Sequence, residues 1–349
     1  MRHIVCVALL AAAACGGSAL GDPSPEVPAT GGTPAPAADA GATPPDAGAA
    51  DAAVPPAPVP PAPVPSGPTL AGCPVFPADN DWNHDVSSEP ADPRSDAYLA
   101  FMGASWRNLH ADFGANPAYG IPFVIVGGSQ PRTSMSFLYS GESDPGPYPF
   151  PSDIPVQGGP GASGDRHAIA LDRDSCLLYE TYDTHWNGSG FDAGSGALFD
   201  LRSGAQRKDG FTSATASGLP ILPGLARYDE VVEQKEIRHA LTFTAAGAAR
   251  AWVHPATHYG NSSHPDAPPM GTRVRLKADF DVSRFTGASR VILTALQRYG
   301  MFLVDEAGDG FVAISGATDS RWDDHDLDQL KTVPFSAFEV VRLGPVHRQ

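Results

Sequence analysis

Residues 166–183 read RHAIALDRDSCLLYETYD, two β-rich runs around a polar turn. A tight turn at Arg173-Asp174 predicts a hairpin in which Asp172 faces Ser175, Ile169 faces Leu178 and His167 faces Glu180. On that register His167, Ile169 and Leu171 share an apolar face with Cys176, Leu178 and Glu180, whereas an odd-length turn would slip the register by one and part the pair. A second run, Ile237-Arg238-His239-Ala240-Leu241, repeats the Arg-His-Ala context. There His239 alternates in phase with Ile237, Leu241 and Phe243, while Glu236 and Arg238 point the other way. The following WVHPATHYG adds His254, His258 and Tyr259. Inward imidazoles and carboxylates are costly to bury unless they are paired. Such groups cluster at functional sites, so His167, Glu180 and His239 are expected to converge.

Three chemistries suit these residue types. Glycoside hydrolysis needs two carboxylates, one protonated and one ionised. Glu180 is the leading acid/base, because an apolar face raises its pKa. Asp183, Asp229, Glu230 and Glu236 are its candidate partners, and spacing does not choose among them. Trp82, Trp186 and Trp252, if exposed, would stack on sugar rings. Polysaccharide β-elimination would use His167, His239 or Tyr259 as base, with Arg166 or Arg238 neutralising a uronate. His258 joins Arg166, Arg238, Trp186 and Trp252 as expected substrate-binding residues. The third chemistry is a metal site, since His167, Glu180 and His239 are ligand types that zinc or iron accepts. With neither HExxH nor an HxH pair, no metal and no cofactor are expected. Residues 305–310 (DEAGDG) lack the alternating acids of a calcium loop. Nucleophile-elbow, P-loop and dinucleotide-binding motifs are absent from the sequence too.

Short β-rich runs must position these groups. They are 121–126, 134–139, 166–172, 177–183, 236–244, 251–254, 272–279 and 311–315, most of them bounded by Gly, Pro or Asp. Helix is expected at 94–102, at 288–299 with Gly300 as terminator, and briefly at 324–331. The Gly-rich stretch 188–196 reads as a loop, and 141–164 as a long wrapping loop carrying Tyr148 and Phe150. The fold class is therefore mainly β: one β-sandwich or jelly-roll-like domain with a few peripheral helices.

Composition divides the chain. Residues 16–71 hold 15 of the 36 prolines and no Lys, Arg or aromatic residue. Such a segment favours extended polyproline II and cannot bury a core. It reads as a disordered tether over 15–71, ahead of a domain at 72–349 that is expected to be catalytic. Ahead of it, residues 1–14 have a short polar start and an apolar stretch, Ile4–Ala14, too short to span a bilayer. Ala13-Ala14-Cys15 resembles the lipobox of bacterial lipoproteins. That resemblance implies lipidation at Cys15, and Gly16 in place of Asp implies the outer membrane. Cys73 and Cys176 then remain as an even pair in an exported chain and are expected to form a disulfide. With 23 basic against 39 acidic residues, the chain cannot neutralise a nucleic-acid backbone.

The stretches GDRHAIALDRDSCLLYETYD (164–183), SGLPILPGLARYDEVVEQKEIRHALTFT (217–244) and LQRYGMFLVD (296–305) resemble a group of secreted bacterial proteins and lipoproteins. The resemblance covers about 73–341; it implies export and a single domain, and carries no catalytic residue with it. The resulting expectation is a monomeric enzyme of the bacterial cell envelope, held to the membrane through its lipid alone or released outside the cell. It would hydrolyse a polysaccharide, with a polysaccharide lyase or a non-catalytic glycan-binding or adhesion module as the alternatives.

Overall fold

The computed structural model describes residues 67–103, 107–307 and 312–349. The expected signal segment, Cys15 and the expected tether as far as residue 66 lie outside the described residues. The central hairpin forms β6 (Ala168–Asp172) and β7 (Leu177–Tyr182). These strands occupy the middle of a four-stranded sheet, flanked by β4 (Val124–Val126) and β10 (Ser195–Asp200). Every residue of β6 is buried, because both faces of the sheet are covered. Ile169, Leu171 and Leu178 enter the main core, whereas Ala168, Ala170 and Tyr179 enter a second cluster with Tyr148, Phe150 and Phe191. That division is the two-residue alternation of a strand. The second cluster is closed by the 141–164 loop, which wraps as expected. A three-stranded sheet of β5 (Met135–Phe137), β9 (Phe191–Ala193) and β8 (His185–Trp186) adds to it.

The main core is shared with a six-stranded sheet. Its order is β16 (Phe338–Val340), β13 (Arg273–Leu276), β14 (Met301–Glu306), β11 (Leu241–Ala245), β15 (Ala313–Ile314) and β3 (His110–Ala111). Two ribbons complete the strands: β1 (Thr69–Leu70) with β2 (Cys73–Pro74), and β12 (Ala251–Trp252) with β17 (His347–Arg348). The helices are α1 (Ser95–Met102), α2 (Gly287–Arg298) and the short α3 (Asp324–Leu327). None in the described residues is long and apolar enough to cross a membrane. In α2 the buried residues Ala288, Ser289, Ile292, Leu293, Ala295 and Leu296 recur at helical spacing and seat it on the core. Gly300 (φ 66) reverses the chain into β14; a Cβ there would lie 2.3 Å from the Val274 carbonyl oxygen.

The domain is mainly β, as its short β-rich runs predict. Its sheets are mixed: β4–β6, β5–β9, β3–β15 and β11–β14 pair in parallel, whereas jelly-roll sheets are antiparallel. Two local readings need correction, and one strand, β14, lies outside the expected runs. Residues 188–196 contain β9 and the start of β10 rather than a loop. β14 carries no alternating pattern, because it is buried on both faces over Met301–Val304. The run 236–244 becomes strand only at Leu241, since a π-helical turn over Asp229–Gln234 ends at Lys235 in the left-handed region (φ 59). The expected disulfide is present: Cys73 and Cys176 are bonded across a separation of 103 residues, with Cα atoms 5.5 Å apart. It staples β2 to the β6–β7 turn.

Candidate functional site

The β6–β7 turn has four residues, Arg173 to Cys176, rather than two. Asp172 pairs with Leu177 and Ile169 with Glu180. The even length preserves the faces, so Glu180 does share one with Ile169, Leu171 and Leu178. The two-residue offset separates Glu180 from His167, and the predicted cross-strand pair does not form. The cause is Cys176, whose left-handed φ of 53 and disulfide hold the turn open.

Glu180 is completely buried, and its carboxylate binds backbone instead. It accepts hydrogen bonds from the Ile221 amide (2.8 and 3.0 Å) and the Leu222 amide (2.8 Å). Burial pushes its pKa up to about 7, against the lowering pull of those amides and of Arg207. His167, also buried, has Nδ1 3.3 Å from the Thr181 carbonyl, and burial lowers its pKa against the opposing charge of Asp165.

His239 has a carboxylate partner, but it is Glu230. Its Nε2 lies 3.1 Å from both Glu230 oxygens, and its Nδ1 lies 2.9 Å from the Ala240 carbonyl. Arg227 completes the cluster, with Nη2 donating to Glu230 at 2.7 Å and Nε donating to Asp229 at 3.2 Å. All three central side chains are at most 3% exposed. Burial pulls the Glu230 pKa up, yet His239 and Arg227 together carry it below the ordinary value. The π-helical turn permits this by placing Glu230 three residues from Arg227 and turning it inward. His167, Glu180 and His239 thus have separate partners and do not form one hydrogen-bonded group.

A different group assembles where the two large sheets meet. The segment 213–222 runs between them. Its Ala216 amide donates to Asp305 Oδ2 at 3.1 Å, and its Ser217 amide donates to the Val304 carbonyl at 3.1 Å. Asp305 ends the buried run of β14 and is itself partly exposed. Its pKa rises to about 7, chiefly by burial and further by the negative charge of Asp165. Asp165 is exposed at the entry to β6, where its carbonyl accepts the Asp183 amide at 2.7 Å. The same charge acts on His167 and on Tyr182, whose phenol is raised by burial first and by Asp165 next. The His167 and Tyr182 rings are 6.0 Å apart. On the far side of the Ala216 peptide, His258 Nδ1 lies 3.1 Å from the Ala216 carbonyl. Burial lowers the pKa of His258, against Glu142. Tyr259 stacks on it with centroids 4.0 Å apart. Two carboxylates, an imidazole and a phenol thus influence one another at strand ends, with His258 and Tyr259 across the Ala216 peptide.

Other expected site residues stand apart. Arg166 is buried, with its guanidinium donating to the carbonyls of Thr184, Gly159, Pro160 and Ala162, so it pins the 159–166 segment rather than facing a substrate. Asp183 binds His185 at 2.8 Å. Glu236 and Arg238 lie 4.0 Å from each other on the surface beyond the π turn. Of the three tryptophans considered for stacking, Trp186 is 44% exposed, whereas Trp82 and Trp252 are buried. Trp82 packs edge-on against Phe302 at 5.1 Å. A cavity of about 360 Å³ lies beside the 218–220 wall and is lined by Asp79, Asp81, Trp82 and Arg207 among others. Asp305 escaped the sequence reading because it was weighed only as a calcium-loop acid. Its signal was a lone acid at the end of the apolar run Met301–Val304.

No protein-family model matches the chain, and no curated protein and no solved structure matches it either.

Proposed function

We propose that the domain is a carbohydrate-active hydrolase whose acid–base centre is the group Asp165, His167, Tyr182 and Asp305. The observation that carries this reading is that the Asp165 charge bears on Asp305 of the other large sheet and on both His167 and Tyr182, whose rings lie 6.0 Å apart. Glu180 is the weaker choice because it is completely buried, whereas Asp305, whose oxygens likewise accept two backbone amides (Ala216 and Glu306), is partly exposed. Asp305 remains partly exposed and holds its proton until about pH 7, as a general acid must. Exposed Asp165 supplies the second carboxylate that glycoside hydrolysis requires. Tyr182, His258 and Tyr259 are partly exposed and offer ring faces to a sugar. The domain is further proposed to act at a bacterial surface, on a proline-rich tether lipidated at Cys15. The Cys73–Cys176 disulfide supports an oxidising compartment.

The test is incubation of the full chain with bacterial, plant and algal polysaccharides, reading products by mass spectrometry and ultraviolet absorbance. Hydrated products should fall about 10²–10⁴-fold in Asp305→Asn and Asp165→Asn. Wild-type activity should decline as pH rises through about 7, where Asp305 loses its proton. Hydrolysis unaffected by either substitution would refute the assignment. Unsaturated products would replace it with a lyase in which His167, whose pKa burial lowers, is the base. Retention of a glycan without turnover would replace it with a binding module.

A further inference from the structure

We propose that Asp209, His254 and His347 form a binding site for one divalent transition-metal ion of the zinc class. The site shares no residue with the acid–base group and stands independently of that reading. One carboxylate oxygen and two imidazole nitrogens lie within 4.8 Å of one another. Two histidines and a carboxylate are a ligand set that zinc and iron accept with open positions left for water. His254 Nε2 is 2.8 Å from Asp209 Oδ1. With metal–ligand bonds of about 2.1 Å, that separation subtends roughly 85° at the ion, near the right angle of an octahedral site. Tetrahedral ligand atoms would be roughly 3.4 Å apart, so a pair at the 4.8 Å limit would close by about 1.4 Å. The side chains have room to do so, since Asp209 and His254 are exposed and His347 is partly exposed.

The framework behind the ligands is built. β12 and β17 place Trp252 directly opposite His347. The two rings stack at 5.4 Å with planes 19° apart, and His347 stacks in turn on His254 at 4.5 Å. Asp209 sits in a turn fastened by the Gly210 amide to the Thr257 carbonyl at 2.7 Å and by Thr257 Oγ1 to the Phe211 carbonyl at 2.8 Å. A separate observation points to a ligand. The indole N–H of Trp252 is 93% buried with its residue, and it has no partner in hydrogen-bond geometry. It is aimed at the Asp209 carboxylate, at a separation longer than an ordinary hydrogen bond. With Asp209 drawn onto an ion, this donor would hold the second carboxylate oxygen, the outer-shell support that orients metal ligands. A cavity of about 180 Å³, lined in part by His254, lies beside the site.

The experiment is calorimetric titration of zinc, and absorbance titration of cobalt(II), into the full chain stripped of metal by a chelator. One equivalent should bind, with quenching of tryptophan fluorescence by cobalt(II) through Trp252. His254→Ala, His347→Ala and Asp209→Asn should each weaken binding by at least about tenfold, the loss typical of even outer-shell changes at metal sites. His347→Gln keeps a polar side chain on the stack and guards against a folding defect, and it should bind as weakly as His347→Ala. No uptake at micromolar metal would overturn the proposal. Equal uptake by wild type and a His254→Ala/His347→Ala double variant would overturn it too, by assigning the ion to other residues.

Discussion

Glu180 should make the domain less stable as pH rises, and Glu180→Gln should remove that dependence. Its carboxyl titrates at about 7 in the folded state, against an ordinary value of 4.5. Below 4.5 both states hold the proton. Between 4.5 and about 7 the unfolded chain has released it and the folded chain has not, so stability falls as pH rises through this window. Above about 7 the loss is complete. The gap of about 2.5 pKa units, at about 1.36 kcal/mol each, is worth about 3 kcal/mol for a side chain with no exposure. Asp305, raised from 3.8 to about 7, adds a loss of the same sign in both proteins. The assay is urea unfolding of wild type and Glu180→Gln across this pH range. Glutamine keeps an acceptor for the Ile221 and Leu222 amides but does not titrate. Its amide group imposes a penalty that is the same at every pH, so the change in the stability difference isolates ionisation. That difference should shift by about 3 kcal/mol in the variant's favour from the acid to the neutral end. Parallel profiles would refute the enclosure of an unpaired carboxyl at this position.

Removing one member of the Arg227–Glu230–His239 cluster strands the others, so Glu230→Gln should cost about 3–5 kcal/mol and lower the thermal midpoint by roughly 6 °C or more. A change under about 1 kcal/mol would show that the cluster is not coupled. Because the Glu230 pKa is lowered, its contribution is fully present above 4.5 and is lost as pH falls through the folded value. Replacing both Cys73 and Cys176 by alanine should lower stability by up to about 4–5 kcal/mol, the loop-entropy limit for a closure of roughly a hundred residues, and an unchanged urea midpoint would count against a stabilising role. Arg166→Ala frees the carbonyls of Gly159, Pro160 and Ala162, so amide exchange should rise over 157–165 while β6 stays protected.

Legibility followed the range of the interactions. The face of Glu180 was readable because an even turn, of two residues or of four, keeps the same strand parity. Its partner was not, since parity leaves the offset along the ladder undetermined, and the disulfide and left-handed Cys176 set it. His239 was legible as a buried imidazole needing a carboxylate, but Glu230 reaches it from a π-helical turn that strand alternation does not anticipate. Asp305 was the largest omission. It stands 140 residues from Asp165, and only the meeting of β14 with the entry to β6 lets one charge raise the other's pKa.

By itself the sequence determined the division between a proline-rich segment without aromatics and a domain rich in short β runs. It also determined the single pair of cysteines left for a disulfide, and that His167, Glu180 and His239 face inward. These follow from composition and from two-residue alternation, both local properties of the chain. Tertiary structure alone decided which acids meet which imidazoles: Glu230 with His239, Asp305 with the charge of Asp165, and Asp209 with His254 and His347. Those encounters depend on ladder offsets, sheet order and loop paths, and each joins segments whose separation in the chain carries no signal of their closeness in space.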